Sequence, residues 1–161
     1  MIGLSASLRR GAIIGAATVF AVGINYLGVQ CASAQNAPDY AALMAASDRS
    51  DADRQADKRR DPVPFLVFAG LRPGMKVLDM GAGAGYSTEL VARVVGPTGM
   101  VYGQNPPDNF ERARNAFATR AATPAMKNSA ALVRPYDDPL AADVHDLDMI
   151  TYLFFYHTRP T

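Results

Sequence analysis

The sequence predicts an α/β fold built on a doubly wound parallel sheet, and three features carry the prediction. Short apolar stretches at 75–80, 100–104, 131–136 and 147–156 alternate with segments of helical character. The first stretch runs straight into a glycine-rich turn, Asp79-Met80-Gly81-Ala82-Gly83-Ala84-Gly85, which opens a helix. Proline and acidic clusters then close the later strands, at Asn105-Pro106-Pro107 and Asp137-Asp138-Pro139. Strands that alternate with helices in this way pair in parallel through right-handed crossovers.

The chain divides into three parts: residues 1–34, 35–61 and 62–161. Its 161 residues allow one domain, and a net charge of +1 gives no indication of a nucleic-acid partner. Arg9 and Arg10, the apolar run 11–27 and Ala32-Ser33-Ala34 form the three regions of a signal peptide. Cleavage would leave an exported chain, periplasmic or extracellular, starting at Gln35. The alternative is a membrane anchor, although the run is at the short limit for a span, about 17 residues, and Asn25 interrupts it. Cleavage also removes Cys31, the chain's one cysteine, so no disulfide, thiolate metal site or cysteine nucleophile is expected. No metal site is predicted, since His145 between Asp143 and Asp146 lacks a full ligand set.

Residues 35–61 read as a helical leader. From 48 to 61, five aspartates face five basic residues, which predicts a solvated, ion-paired surface. Tyr40, Leu43 and Met44 supply a small apolar face.

Asp61-Pro62 predicts a helix start, with Asp61 as cap and Pro62 at the first helical position. Val63, Phe65, Leu66, Phe68 and Ala69 form its apolar side, and Gly70 ends it. The strand at 75–80 is mostly apolar, as a strand covered on both faces would be. A helix over 86–95 buries Leu90, Val91, Val94 and Val95 and stops at Gly96-Pro97. After the strand at 100–104, Asp108 is expected to cap a helix running to about Arg120, with Phe110, Ala113, Ala116 and Phe117 as its stripe. Residues 121–130 read as a loop. The most apolar strand, 147–156, is followed by only five residues, His157 to Thr161. Two expectations follow: a truncated sheet, incomplete at its C-terminal side, or a second copy covering the exposed edge by self-association.

The glycine spacing selects the ligand. G-x-G-x-x-G would need glycine at 86 or 88, where Tyr86 and Thr88 stand, and no Gly-Lys-Ser/Thr follows the turn. The pattern present is acidic-x-G-x-G-x-G: Asp79, Gly81, Gly83, Gly85. The missing β-carbons let a ligand approach the backbone, and a helix N-terminus directs N–H groups at the same place.

This pattern resembles the first motif of the class I S-adenosylmethionine-dependent methyltransferases. The lead-in Gly70-Leu71-Arg72-Pro73-Gly74-Met75-Lys76-Val77 and the turn Val95-Gly96-Pro97-Thr98-Gly99-Met100-Val101-Tyr102-Gly103 extend the resemblance, which covers residues 60–157. Within the family the chain looks closest to exported bacterial proteins of methyltransferase type. The resemblance implies a Rossmann-like methyltransferase fold with S-adenosyl-L-methionine as cofactor, and methyl transfer to an unidentified small-molecule or protein acceptor. It implies that Asp79 takes the cofactor's ammonium group, that Gly81, Gly83 and Gly85 line its methionine and ribose, and that Tyr86 and Thr88 lie near its carboxylate. Asn105 stands where the family has an acid for the ribose hydroxyls, and an amide makes a weaker contact there. Asp137, rather than Asp138, falls where an aspartate receives the adenine amino group. His157, beside Tyr156, falls where the family places acceptor-binding or general-base groups. Two other readings stay open: an exported binding protein without catalysis, and an inactive truncated product.

Overall fold

The computed structural model describes residues 38–153. Residues 1–34, with their expected targeting signal, and Tyr156 and His157 lie outside the described residues. Four strands, β1 (Lys76–Met80), β2 (Met100–Asn105), β3 (Ser129–Val133) and β4 (Met149–Thr151), form one parallel sheet in the order β3-β2-β1-β4. Residues 154–156 of the expected fourth strand fall outside the described residues. Among the described residues five α-helices and one 3-10 turn accompany the strands: α1 (Tyr40–Ala45), α2 (Asp51–Arg60), α3 (Pro62–Ala69), α4 (Tyr86–Val95), α5 (Glu111–Ala121) and the 3-10 turn at Pro124–Met126.

The register places the site residues. Asp79 on β1 lies opposite Gly103 on β2 and Thr151 on β4. Asn105, the last residue of β2, lies opposite Val133. The strands' carboxyl ends therefore gather Asp79, Gln104, Asn105 and Thr151 around the turn, where open parallel sheets bind ligands.

α4 is the central packing element. Leu90, Val91, Val94 and Val95 are buried as the periodicity predicts, and they pack with Val77, Val101, Phe117, Leu66 and Leu71. Burying side chains of this size contributes about 1.5–3 kcal/mol each.

Several local expectations are corrected. Asp61 does not cap α3 through its side chain; it has φ 40°, in the left-handed region, while Pro62 takes the first helical position as expected. α3 buries Pro62 and Leu66, but Phe68 is 90% exposed. α5 starts at Glu111 rather than beside Asp108 and has no side-chain cap, and of its expected stripe only Phe117 is buried. The run of prolines and Asp108 extends the loop by a further turn, which leaves Phe110 on the surface.

The charged leader differs most. It forms two helices, and its charges are not simply solvated. Arg49 and Asp53 are each 5% exposed. Arg49 holds Asp57 through two bonds of 2.5 and 2.9 Å, Arg93 of α4 holds Asp48, and Arg120 of α5 holds Asp53. The equal numbers of acids and bases reflect ion pairs made partly with the core helices, which composition alone does not reveal.

Candidate functional site

The glycine turn is a compact left-handed structure. Gly81, Gly83 and Gly85 all have positive φ, at 66°, 56° and 84°. The turn's own conformation thus calls for glycine at all three positions. Its amides are largely satisfied inside the protein. Ala82 N–H donates to the backbone carbonyl of Gln104, and Gly85 N–H donates to that of Ala82.

Two consecutive amide side chains from the end of β2 complete this pairing. Gln104 Oε1 accepts from Gly81 N–H at 3.0 Å, and its Nε2 donates to the Arg134 carbonyl at 2.6 Å. Asn105 Oδ1 accepts from Gly83 N–H at 2.8 Å, and its Nδ2 donates to the Gly83 carbonyl at 3.0 Å. Asn109 also donates to Asn105 Oδ1. Both amides are buried. Asn105, expected at the ribose hydroxyls, turns both its donor and its acceptor to the backbone of Gly83. Gln104 escaped the sequence reading, because a lone polar residue in an apolar strand reads as the strand's end.

Asp79 has a similar role. Its carboxylate is fully buried and accepts from Ser87 Oγ at 2.8 Å, Thr88 Oγ1 at 2.7 Å and Thr151 Oγ1 at 2.9 Å. Burial raises its pKa, and the three hydroxyl bonds only partly oppose this. Asp79, expected at the cofactor's ammonium group, joins β1, the first turn of α4 and β4. Thr88 is fully buried and spends its hydroxyl on Asp79. Ser87 and Thr151 were not expected; the signal for Thr151 was one hydroxyl residue in an apolar strand, in register with Asp79.

Tyr86 is also turned inward. Its hydroxyl donates to Asp57 Oδ1 at 2.6 Å, and the Arg60 guanidinium lies 4.8 Å from its ring centre. Burial, together with the Asp57 carboxylate, pushes the phenol well above its ordinary value.

The space beside Gly83 is open. A β-carbon placed on Gly83 would meet nothing nearer than the Gly81 carbonyl at 4.0 Å. One residue past Asn105 begins a cleft of about 510 Å³, lined by Pro106, Pro107, Asp108, Pro135, Tyr136 and Asp137. Asp137 lies in this cleft, whereas Asp138 is ion-paired with Arg134. A mostly apolar cleft of this size with a few acceptors suits a drug-sized or nucleoside-sized ligand. Among the described residues no group of side chains could hold a metal. His145 is exposed and bonds Asp146 through Nδ1 at 2.6 Å.

Comparison with known proteins agrees with this geometry. The family model of protein-L-isoaspartate (D-aspartate) O-methyltransferase matches residues 63–123, from α3 through α5. A protein-L-isoaspartate O-methyltransferase of Methanothrix thermoacetophila is 49% identical over 45 residues, 27% of this chain and 21% of that protein. An arsenite methyltransferase of Halobacterium salinarum is 43% identical over 53 residues, 32% of this chain and 14% of that protein. The matches thus span about a fifth or less of the relatives' own length. An S-adenosylmethionine-dependent O-methyltransferase of Thermotoga maritima shares the fold, with a TM-score of 0.51 and 19% identity over 65% of this chain and 40% of that one. Residues 63–123 thus match a methyltransferase family model, and the parallel sheet with its helices has the class I methyltransferase fold.

Proposed function

We propose that the chain binds S-adenosylmethionine across the carboxyl ends of β1, β2 and β3 and serves methyl transfer. One observation carries the reading: the glycine turn after β1 is bonded to Asn105 at the end of β2, and the Pro106–Asp137 cleft begins at the next residue, at the same carboxyl end of the sheet. In this reading the turn backbone at Gly83 lines the ribose and methionine. Tyr136 and Asp137 hold the adenine, the carboxylate accepting from its amino group. Asp79, Gln104 and Asn105 shape the turn from behind. Bound S-adenosylmethionine supplies a methyl group already activated by its sulfonium, so the protein's task is alignment of the acceptor in line with it.

The acceptor is a small-molecule or protein nucleophile. The two relatives act, by their names, on L-isoaspartyl protein and on arsenite, so the shared stretch supports the cofactor half of the reaction and leaves the acceptor half open. An isoaspartyl peptide is the first acceptor to test, because the family model that matches is the one of that activity. A second reading, cofactor binding without turnover, draws support from Asp79 and Asn105, both of which are engaged within the protein. Export or membrane anchoring through residues 1–34 completes the proposal; it rests on Arg9, Arg10, the apolar run and Ala32-Ser33-Ala34.

Calorimetric titration with S-adenosylmethionine, followed by transfer of labelled methyl to an isoaspartyl peptide, tests both readings. Saturable binding abolished by Tyr136→Ala and Asp137→Ala together supports the site, and binding unaffected by that pair places the ligand elsewhere. Label on the peptide supports catalysis. Binding with no label on any acceptor supports the second reading.

A further inference from the structure

The leader reaches the glycine turn through a side chain of another helix. Arg120, near the end of α5, donates from Nη1 and Nη2 to the two oxygens of Asp53 on α2, at 2.9 and 2.8 Å. Its Nε donates to the Ala84 carbonyl at 3.1 Å, and Nη1 also pairs with Glu89 of α4. One planar guanidinium thus spans α2, α4 and the turn, a geometry that a lysine's point charge does not reproduce. The stem of Arg120 is equally close: a β-carbon on Gly85 would lie 3.1 Å from Arg120 Cδ and 3.0 Å from Phe117 Cδ2.

A second tie runs parallel to the first. Tyr86 donates to Asp57 on α2, one helical turn beyond Asp53. The residues on either side of Gly85 are therefore both bonded, Ala84 by a group anchored on α2 and Tyr86 by α2 itself. α2 has little apolar hold on the domain, and Asp53 is its one buried residue. A segment held mainly by charged bonds opens more readily than one held by apolar burial. Gly85, at φ 84°, has wide backbone freedom once its neighbours are released.

We propose that Arg120 is a positioning residue that couples the docking of α2 to the conformation of the turn at Gly85, so that the chain captures its cofactor only with α2 in place. The affinity consequence rests on the cofactor reading above; the coupling of helix and turn does not. The Ala84 carbonyl and the Asp53 carboxylate have a common partner, and loss of that partner frees both ends. The same coupling makes cofactor affinity sensitive to the integrity of a helix that contributes nothing to the cleft.

The test uses the full chain with Arg120→Met, Asp53→Asn, their double variant, and Asn128→Ala as a control that removes bonds to the Ala92 and Gly96 carbonyls at the end of α4 without touching α2 or the turn. Hydrogen exchange at 84–88 is read without ligand, and S-adenosylhomocysteine affinity by calorimetry. Arg120→Met and Asp53→Asn are each expected to speed exchange at the turn and to weaken binding about tenfold. The double variant should be no worse than the poorer single one, because the two act through one contact. Asn128→Ala should lower the melting temperature and leave turn exchange unchanged, and Arg120→Lys should restore only part of the loss. Turn exchange unchanged in both single variants overturns the proposal, as does full additivity in the double variant. A wild-type chain that binds no S-adenosylhomocysteine overturns the cofactor reading instead, and turn exchange still decides the role of Arg120.

Discussion

Asn105 holds Gly83 from both sides, accepting from its N–H at 2.8 Å and donating to its carbonyl at 3.0 Å. The side-chain amide thereby pairs with a single backbone residue much as a neighbouring strand would. It also explains why an amide, rather than an acid, suits this position in this chain. A carboxylate could accept from Gly83 N–H, but it would turn its second oxygen toward the Gly83 carbonyl with no proton between them.

Asn105→Asp separates two roles for this residue. If Asn105 locks the turn, the acid loses one bond and sets its second oxygen against the Gly83 carbonyl, so stability falls by about 1–3 kcal/mol and S-adenosylhomocysteine binds more weakly. If Asn105 instead faces the ribose, the acid strengthens binding. Denaturant melts and calorimetric titration of the two proteins decide.

Asp79→Ala removes the shared partner of three buried hydroxyls, Ser87, Thr88 and Thr151. The expected cost is about 2–3 kcal/mol, because buried hydroxyls without partners are unfavourable. Asp79→Asn keeps an acceptor and should cost less than half as much. Chemical denaturation of the three proteins gives the comparison; equal stability of Asp79→Ala and wild type would remove Asp79 from its place as the organiser of β1, α4 and β4.

Gly103→Ala tests the packing behind the turn. A β-carbon there would lie 2.5 Å from Phe117 Cζ and 3.2 Å from Thr88 Cγ2. Phe117 also touches Gly85, so its displacement should both destabilise the fold, by about 1–3 kcal/mol, and loosen the turn. Phe117→Leu in the same background should recover part of the loss, which a thermal melt would show.

The leader's ion pairs predict an acid-side loss of stability. Burial disfavours the charged forms of Asp53 and Asp57, but bonds from Arg120 and Ser50 to the first, and from Arg49 and Tyr86 to the second, outweigh it and hold both below the usual carboxylate range. Asp48 is lowered chiefly by its bond to Arg93. A carboxyl whose folded pKa lies below its unfolded value stabilises the protein above the unfolded value and loses that contribution as pH falls through the folded one. Asp79, raised by burial, has the opposite sign: its contribution is present at low pH and is lost as pH rises through its folded pKa. Melting temperature should therefore drop as the pH passes below the ordinary carboxylate range. Asp53→Asn should flatten that drop, and an unchanged slope would mean that the Arg120 pair contributes nothing.

The strands, the cofactor helix and the turn were legible in the sequence because local signals agree there. Apolar runs, three glycines and the helix stop at Gly96 all point to one arrangement, and α4 lies over 86–95 as read. Side-chain roles were less legible. Asp79 and Asn105 stand at the turn, but which way each faces depends on strand register: Thr151 stands opposite Asp79, and β2 presents Gln104 and Asn105 together to the turn. The leader was the least legible part. Its balanced charges look alike whether they face water or the core, and only the partners Arg93 and Arg120, far along the chain, distinguish the two.

The most direct test of the central claim follows the turn itself. A full-length chain labelled with nitrogen-15 is titrated with S-adenosylhomocysteine while the backbone amides of Gly81, Gly83 and Gly85 and the side-chain amide of Asn105 are observed. The account predicts saturable shifts at Gly83 and Gly85, together with Tyr136 and Asp137, while the Asn105 side-chain amide stays protected on Gly83. Glycine signals that do not move at high ligand concentration would contradict the proposed site, and an Asn105 amide released on binding would contradict its role as the lock of the turn.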